Sequence, residues 1–115
     1  MENCLFCKIV RKEIPSRTVF EDDAVLAFYD VNPQAPVHIL VIPKTHRGGF
    51  LEMKEKEDPP LEGYLMSVIR KIAREKGLDQ KGFRLVVNQG SDGGQTVFHL
   101  HYHLLGGRAM AWPPG

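Results

Sequence analysis

The run Phe98-His99-Leu100-His101-Tyr102-His103-Leu104 holds three of the chain's five histidines at alternate positions. Successive side chains of a strand point to opposite faces. His99, His101 and His103 would line one face, and Phe98, Leu100, Tyr102 and Leu104 the other, a fair match to half-buried strand composition. At roughly 3.3 Å per residue, neighbouring imidazoles start about 7 Å apart. Two unit charges at that separation repel by about 2–3 kcal/mol at an effective dielectric near 20. Three adjacent imidazolium ions are therefore disfavoured, and some of these rings should stay neutral near pH 7. A neutral, oriented imidazole is a nucleophile, a base or a metal ligand. An affinity tag would be contiguous and terminal, whereas this run alternates and is embedded before Gly106-Gly107.

The elements that must position these rings can be read from the rest of the chain. Its 115 residues suffice for a single domain, residues 1–115, with one core. The 43% hydrophobic and 25% charged content is that of an ordinary globule. A net charge of +1 gives no electrostatic footing for a nucleic-acid partner. No apolar run approaches a membrane span, and Met1-Glu2-Asn3-Cys4 does not open a signal peptide, so a cytoplasmic protein is expected.

Asn3 can cap a short helix over Leu5–Val10. Strands are expected at Thr18–Glu21, residues 24–30, Val37–Pro43, residues 83–88 and residues 98–105. Leu26, Phe28 and Asp30 share one face of the second strand, and His38, Leu40 and Ile42 one face of the third. Asn32-Pro33-Gln34-Ala35-Pro36 reads as a loop. Asp58-Pro59-Pro60 starts one long helix over residues 60–76, with Leu61, Leu65, Val68, Ile69, Ile72 and Ala73 at helical spacing. Gly77 ends it. This order implies an α+β fold: a five-stranded antiparallel sheet with one long and one short helix, covered by helices on one face.

Between the last two strands lies Asn88-Gln89-Gly90-Ser91-Asp92-Gly93-Gly94-Gln95-Thr96. Its glycines either serve a turn or let backbone N–H groups converge on an anion, with Gln95 and Thr96 as further donors. Beside a neutral imidazole, such a cradle suits attack on phosphorus. Cys4 and Cys7, three residues apart, fit a metal or redox role better than a structural disulfide; the alternative is two packed thiols.

The His-x-His-x-His-x-x pattern of Phe98–Leu105 resembles the histidine triad superfamily. Three further stretches are similar to its Hint branch, the histidine triad nucleotide-binding proteins. They are the run from Asp30 through His38 to Lys44, the segment Gly90-Ser91-Asp92-Gly93-Gly94-Gln95, and the tail from Gly106 to Trp112-Pro113-Pro114-Gly115. The resemblance implies hydrolysis of nucleoside 5′-phosphoramidates, typically of AMP, through a nucleotidyl-histidine intermediate, with a purine nucleotide (AMP, GMP or a derivative) as partner. By motif position, His101 is the nucleophile, one ring nitrogen held by a backbone carbonyl. His103 lies on the phosphate and leaving-group side, and His38 joins the group through His99. Asn88, Gly94, Gln95 and Thr96 would hold the phosphate, and Asp30 the ribose hydroxyls. Phe6, Ile9, Phe28, Val31 and Leu40 would form the slot for the base, with Ile14 and Leu5 at its margin. On pattern alone, those five apolar residues read as core.

The cysteine pair departs from the animal Hint pattern. It resembles bacterial members and the hexose-phosphate uridylyltransferases, in which such a pair joins two histidines on a structural zinc. The matching positions are Cys4, Cys7, His46 and His99. His99 can be both ligand and relay member only if its two nitrogens divide the work. Two further readings stay open, a dinucleoside polyphosphate hydrolase and a non-catalytic nucleotide- or metal-binding module. Gly106-Gly107 and the Trp-Pro-Pro-Gly end argue against the former.

An unpaired edge strand, and a long helix apolar on more than one face (Tyr64, Met66, Ile69), suggest self-association. The resemblance implies a two-fold homodimer with a continuous ten-stranded sheet, in which Trp112 and the stiff tail reach toward the partner's site.

Overall fold

A computed structural model describes residues 3–115, leaving Met1 and Glu2 outside the described residues. Helix α1 is Leu5–Val10, followed by β1 (Thr18–Glu21), β2 (Val25–Tyr29) and β3 (Val37–Pro43). A 3-10 turn at Phe50–Glu52 leads to α2 (Pro59–Glu75), and β4 (Phe83–Val87) and β5 (Tyr102–Gly106) complete the chain. The five strands form one antiparallel sheet in the order β1-β2-β3-β5-β4.

The alternation of β2 and β3 divides the apolar residues between two cores. On one face Val25, Ala27, Ile39, Val41, Tyr102 and Leu104 pack against Leu65, Val68, Ile69, Ile72 and Ala73 of α2. On the other, Leu26, Phe28, Leu40 and Ile42 pack against Phe6 and Ile9 of α1. The helices therefore lie on opposite faces, not on one as the element order suggested. The physical reason is that β2 and β3 are apolar on both sides, so each side needs a cover.

Gly77, at φ +72°, follows α2 as expected of a left-handed helix stop. Of the three helix residues expected to form a second apolar face, Tyr64 is exposed. Ile69 is in the core, Met66 packs against it, and the Tyr64 hydroxyl bonds Asp22. The sheet has two edges, β1 and β4, and on β4 Phe83 and Leu85 are exposed.

Other expectations shift by local chemistry. The cap of α1 is Cys4, not Asn3: its Sγ accepts the Cys7 N–H at 3.3 Å. Strand β2 stops before Asp30, whose carboxylate instead turns the chain by accepting the Asn32 N–H at 2.8 Å. Most consequential, β5 begins at Tyr102 rather than Phe98. Tyr102 already pairs with Val87, the last residue of β4, and although β3 runs two residues past Val41, the Pro43 carbonyl there is taken by the His99 ring at 2.8 Å. The Leu100 N–H goes to the Arg47 carbonyl at 2.6 Å. Phe98, expected on the apolar face, is exposed.

Candidate active site

Alternation survives although the ladder does not. Leu100, Tyr102 and Leu104 enter the α2 core, while the rings of His99 and His101 lie 6.0 and 5.1 Å from that of Phe6 on α1. The rings of His101 and His103 are 4.9 Å apart, well inside the spacing of a regular strand.

Their hydrogen bonds decide their tautomers. His101 donates Nδ1–H to the His99 carbonyl at 2.8 Å, leaving the Nε2 lone pair free. The Gln34 N–H donates to His38 Nδ1 at 3.0 Å, so the proton of neutral His38 sits on Nε2. That proton points to His103 Nδ1 at 2.9 Å, which leaves His103 with its own proton on Nε2. His38 thus joins the group through His103, not through His99. The cause is register: Leu40 of β3 stands opposite His103, which brings His38 diagonally beside it. Asp30 Oδ2 lies 3.5 Å from His38 Nε2. Burial depresses all three imidazoles and holds His103 down to about 4, with the charges of His101 and His38 acting the same way. One ring therefore offers a lone pair, and its neighbour offers an N–H.

His99 belongs to a second group with Cys4, Cys7 and His46. Its Nε2–H donates to the Pro43 carbonyl at 2.8 Å, so the Nδ1 lone pair faces the thiols. Neither nitrogen is left for a relay. His99 Nδ1 is 3.4 Å from Cys4 Sγ and 3.5 Å from Cys7 Sγ, and His46 Nδ1 is 3.3 Å from Cys7 Sγ and 3.2 Å from His99 Nδ1. On a tetrahedron with Zn–S near about 2.3 Å and Zn–N near about 2.0–2.1 Å, sulfur and nitrogen stand roughly 3.6 Å apart and two nitrogens roughly 3.3 Å apart. The four donor atoms therefore fit a tetrahedral metal centre. Asp30, His38 and His103 also converge. A metal there would need the His38 proton moved to Nδ1, against the Gln34 N–H that already points at that atom.

A cleft of about 360 Å³ opens between α1, β2 and the histidine run. Phe6, Ile9, Phe28, Val31 and Leu40 line it, as do Asp30, Thr96, His101 and His103. Leu5 and Ile14 also touch it, and Pro15, Ser16, Tyr29 and Val97 join the lining without any sequence pattern having singled them out.

Asn88, Gly94, Gln95 and Trp112 are not among the lining residues. The Gln95 amide is committed to the loop, accepting from the Gly90 N–H and donating to the carbonyls of Gly48 and Val97. Gly94 adopts φ +84°, a left-handed turn that frees backbone from side-chain bulk. At Gly93 a Cβ would fall 2.4 Å from the Gln89 carbonyl oxygen. Asn88 is half-buried at the end of β4, and Trp112 is 82% exposed.

The chain matches the HIT domain family over residues 11–110. It is 51% identical to the 14 kDa zinc-binding protein of Zea mays, an alignment covering 96% of this chain and 87% of that one. To the protein named adenylylsulfatase HINT1 of Arabidopsis thaliana it is 50% identical, covering 96% and 76%. The crystal structure of a HIT family hydrolase from Legionella pneumophila superposes with a TM-score of 0.95 at 50% identity, covering 98% of this chain and all of that one. Two histidine clusters on such a frame, with relatives about half identical along nearly all of its length, make this chain a member of the HIT domain family.

Proposed function

We propose that this protein is a hydrolase of nucleoside 5′-phosphoramidates that works through a nucleotidyl-histidine. The observation that carries the reading is the pair of opposed tautomers, a bare Nε2 on His101 beside an Nε2–H on His103 in one cleft. His101 Nε2 attacks the α-phosphorus, the P–N bond breaks, and the departing amine takes the proton from His103 Nε2. The charge left on the His103 ring is held by the His38 Nε2–H at its Nδ1, and His103 Nε2 regains its proton from the water that attacks next. Water then attacks the His101–phosphorus bond, releasing the nucleoside monophosphate and restoring the imidazole.

The base occupies the slot of Phe6, Ile9, Phe28, Val31 and Leu40, with Asp30 accepting from the ribose. Thr96 and the backbone of the Gly90–Gly94 turn cradle the phosphate, which Asn88, Gly94 and Gln95 shape. A purine fits a slot of this depth and apolar character.

Cys4, Cys7, His46 and His99 hold a structural zinc, with no open position for substrate. The zinc-binding name of the maize relative supports this reading. Two metal-bound thiolates suit a reducing compartment such as the cytoplasm. A symmetric homodimer formed through β4 completes the assembly, with Trp112 lying toward the partner's cleft.

A second reading rests on the Arabidopsis relative's name. Adenylyl sulfate offers the same α-phosphorus with a leaving group that needs no proton, so it would depend on His101 but little on His103.

The test is a kinetic panel of AMP and GMP phosphoramidates, adenylyl sulfate and diadenosine polyphosphates, with quenched intact-mass detection of nucleotidylated protein. His101→Ala should abolish labelling and lower turnover by about a thousandfold or more while nucleotide affinity changes little. Turnover within about tenfold of wild type would refute His101 as nucleophile.

A further inference from the structure

The histidine run between residues 98 and 101 lies outside the β5 ladder, so something other than the sheet must hold it. One residue makes the needed connections. The Arg47 carbonyl accepts the Leu100 N–H at 2.6 Å, between His99 and His101. Its guanidinium donates from Nε and Nη2 to the two carboxylate oxygens of Asp58, at 2.8 and 3.1 Å, and from Nη1 to the His46 carbonyl at 3.1 Å. Asp58 is buried, accepts the Lys54 N–H at 2.6 Å, and stands at the start of α2.

Its carboxylate makes no capping bond to the helix. It is spent on Arg47 instead. A bidentate arginine–carboxylate pair fixes direction as well as distance, which a lone lysine cannot do. The pair therefore ties α2 to the loop carrying His46 and, through the Arg47 carbonyl, to the segment carrying His99 and His101.

We infer that Arg47 and Asp58 form a positioning clamp that sets both the Cys4/Cys7/His46/His99 cluster and the ring of His101, without touching substrate or metal. The inference rests on the site reading above for its kinetic consequence, but not for its spectroscopic one. Displacing Arg47 would release the Leu100 N–H and shift the His99 carbonyl that fixes His101's tautomer.

The experiment compares Arg47→Lys and Asp58→Asn with Val68→Ala, a truncation in the α2 core that lowers stability without touching the clamp. Cobalt(II) affinity and its thiolate charge-transfer bands report the cluster, and ¹⁵N imidazole shifts report the Nδ1–H tautomer of His101. Both clamp variants should lose about 10–100-fold in cobalt affinity and show a mixed His101 tautomer. With a phosphoramidate substrate, kcat should fall about 10–100-fold at nearly constant KM, because the cleft lining is intact. Val68→Ala should resemble wild type in all three.

If both clamp variants match Val68→Ala in cobalt affinity and His101 shifts, the clamp is refuted. Should Asp58→Asn not fold, Arg47→Lys alone decides between these outcomes. A wild-type protein without turnover would instead refute the phosphoramidase reading, while cobalt and ¹⁵N signals still judge the clamp.

Discussion

His38 and His103 share a proton along a 2.9 Å hydrogen bond, and the Gln34 N–H decides which ring carries it. Burial also keeps His103 neutral, with its pKa pressed down to about 4 against an ordinary value near 6.5. Because the unfolded chain then binds the proton more readily, the contribution to stability is full above about pH 6.5 and is lost as the pH falls toward about 4. In metal-free protein, His103→Gln should flatten the urea midpoint over that window. A slope equal to wild type would mean that His103 is not held neutral. At this scale the alternation of three histidines was legible because a period of two is a property of extended backbone alone. Their division was not. His99 turns to the thiols and Pro43, whereas His103 turns to His38, and only the pairing of β3 with β5 and the approach of α1 choose those partners.

Helix α1 spans only six residues, too few to be stable by itself in water. It is held by Phe6 and Ile9 in the second core and by Cys7 in the cluster with Cys4, His46 and His99. The purified protein should carry about one zinc per chain. Its removal by chelation, or Cys7→Ser, should lower Tm by at least about 4 °C, the shift that about 1 kcal/mol produces in a domain of this size. Elemental analysis and a thermal melt check this, and a Tm insensitive to both treatments would leave the thiols as packing residues. Helix α2 could be read from its 3.6-residue stripe and Gly77 stop, since both act within a few turns of chain. The start of β5 could not. Leu100 and Phe98 fit a strand pattern, yet a strand extends only as far as neighbours offer hydrogen bonds, and Arg47 takes the bond at Leu100.

The sheet ends at β4, where Phe83 and Leu85 are 44% and 39% exposed beside an unpaired backbone edge. Such an edge, apolar and uncharged at these positions, is a template for a second copy. Sedimentation at low micromolar concentration should find a dimer, and Leu85→Lys should give a monomer with an unchanged fold; a wild-type monomer defeats the proposed assembly. Deleting residues 112–115 should alter selectivity among leaving groups in the dimer, and unchanged selectivity would remove Trp112 from the site. By itself the sequence determined the elements and the chemical types available: an α+β order, a histidine row, a cysteine pair and a glycine loop, all written within short stretches where local periodicity and turn chemistry act. Tertiary structure alone decided that the two helices take opposite faces, because each side of a doubly apolar sheet must be covered. It also decided that Gln95 braces its loop, that His38 serves His103, and that Cys4, Cys7, His46 and His99 meet. Those contacts join residues up to 95 positions apart, and no local preference of the chain encodes which distant polar atom a buried donor will find.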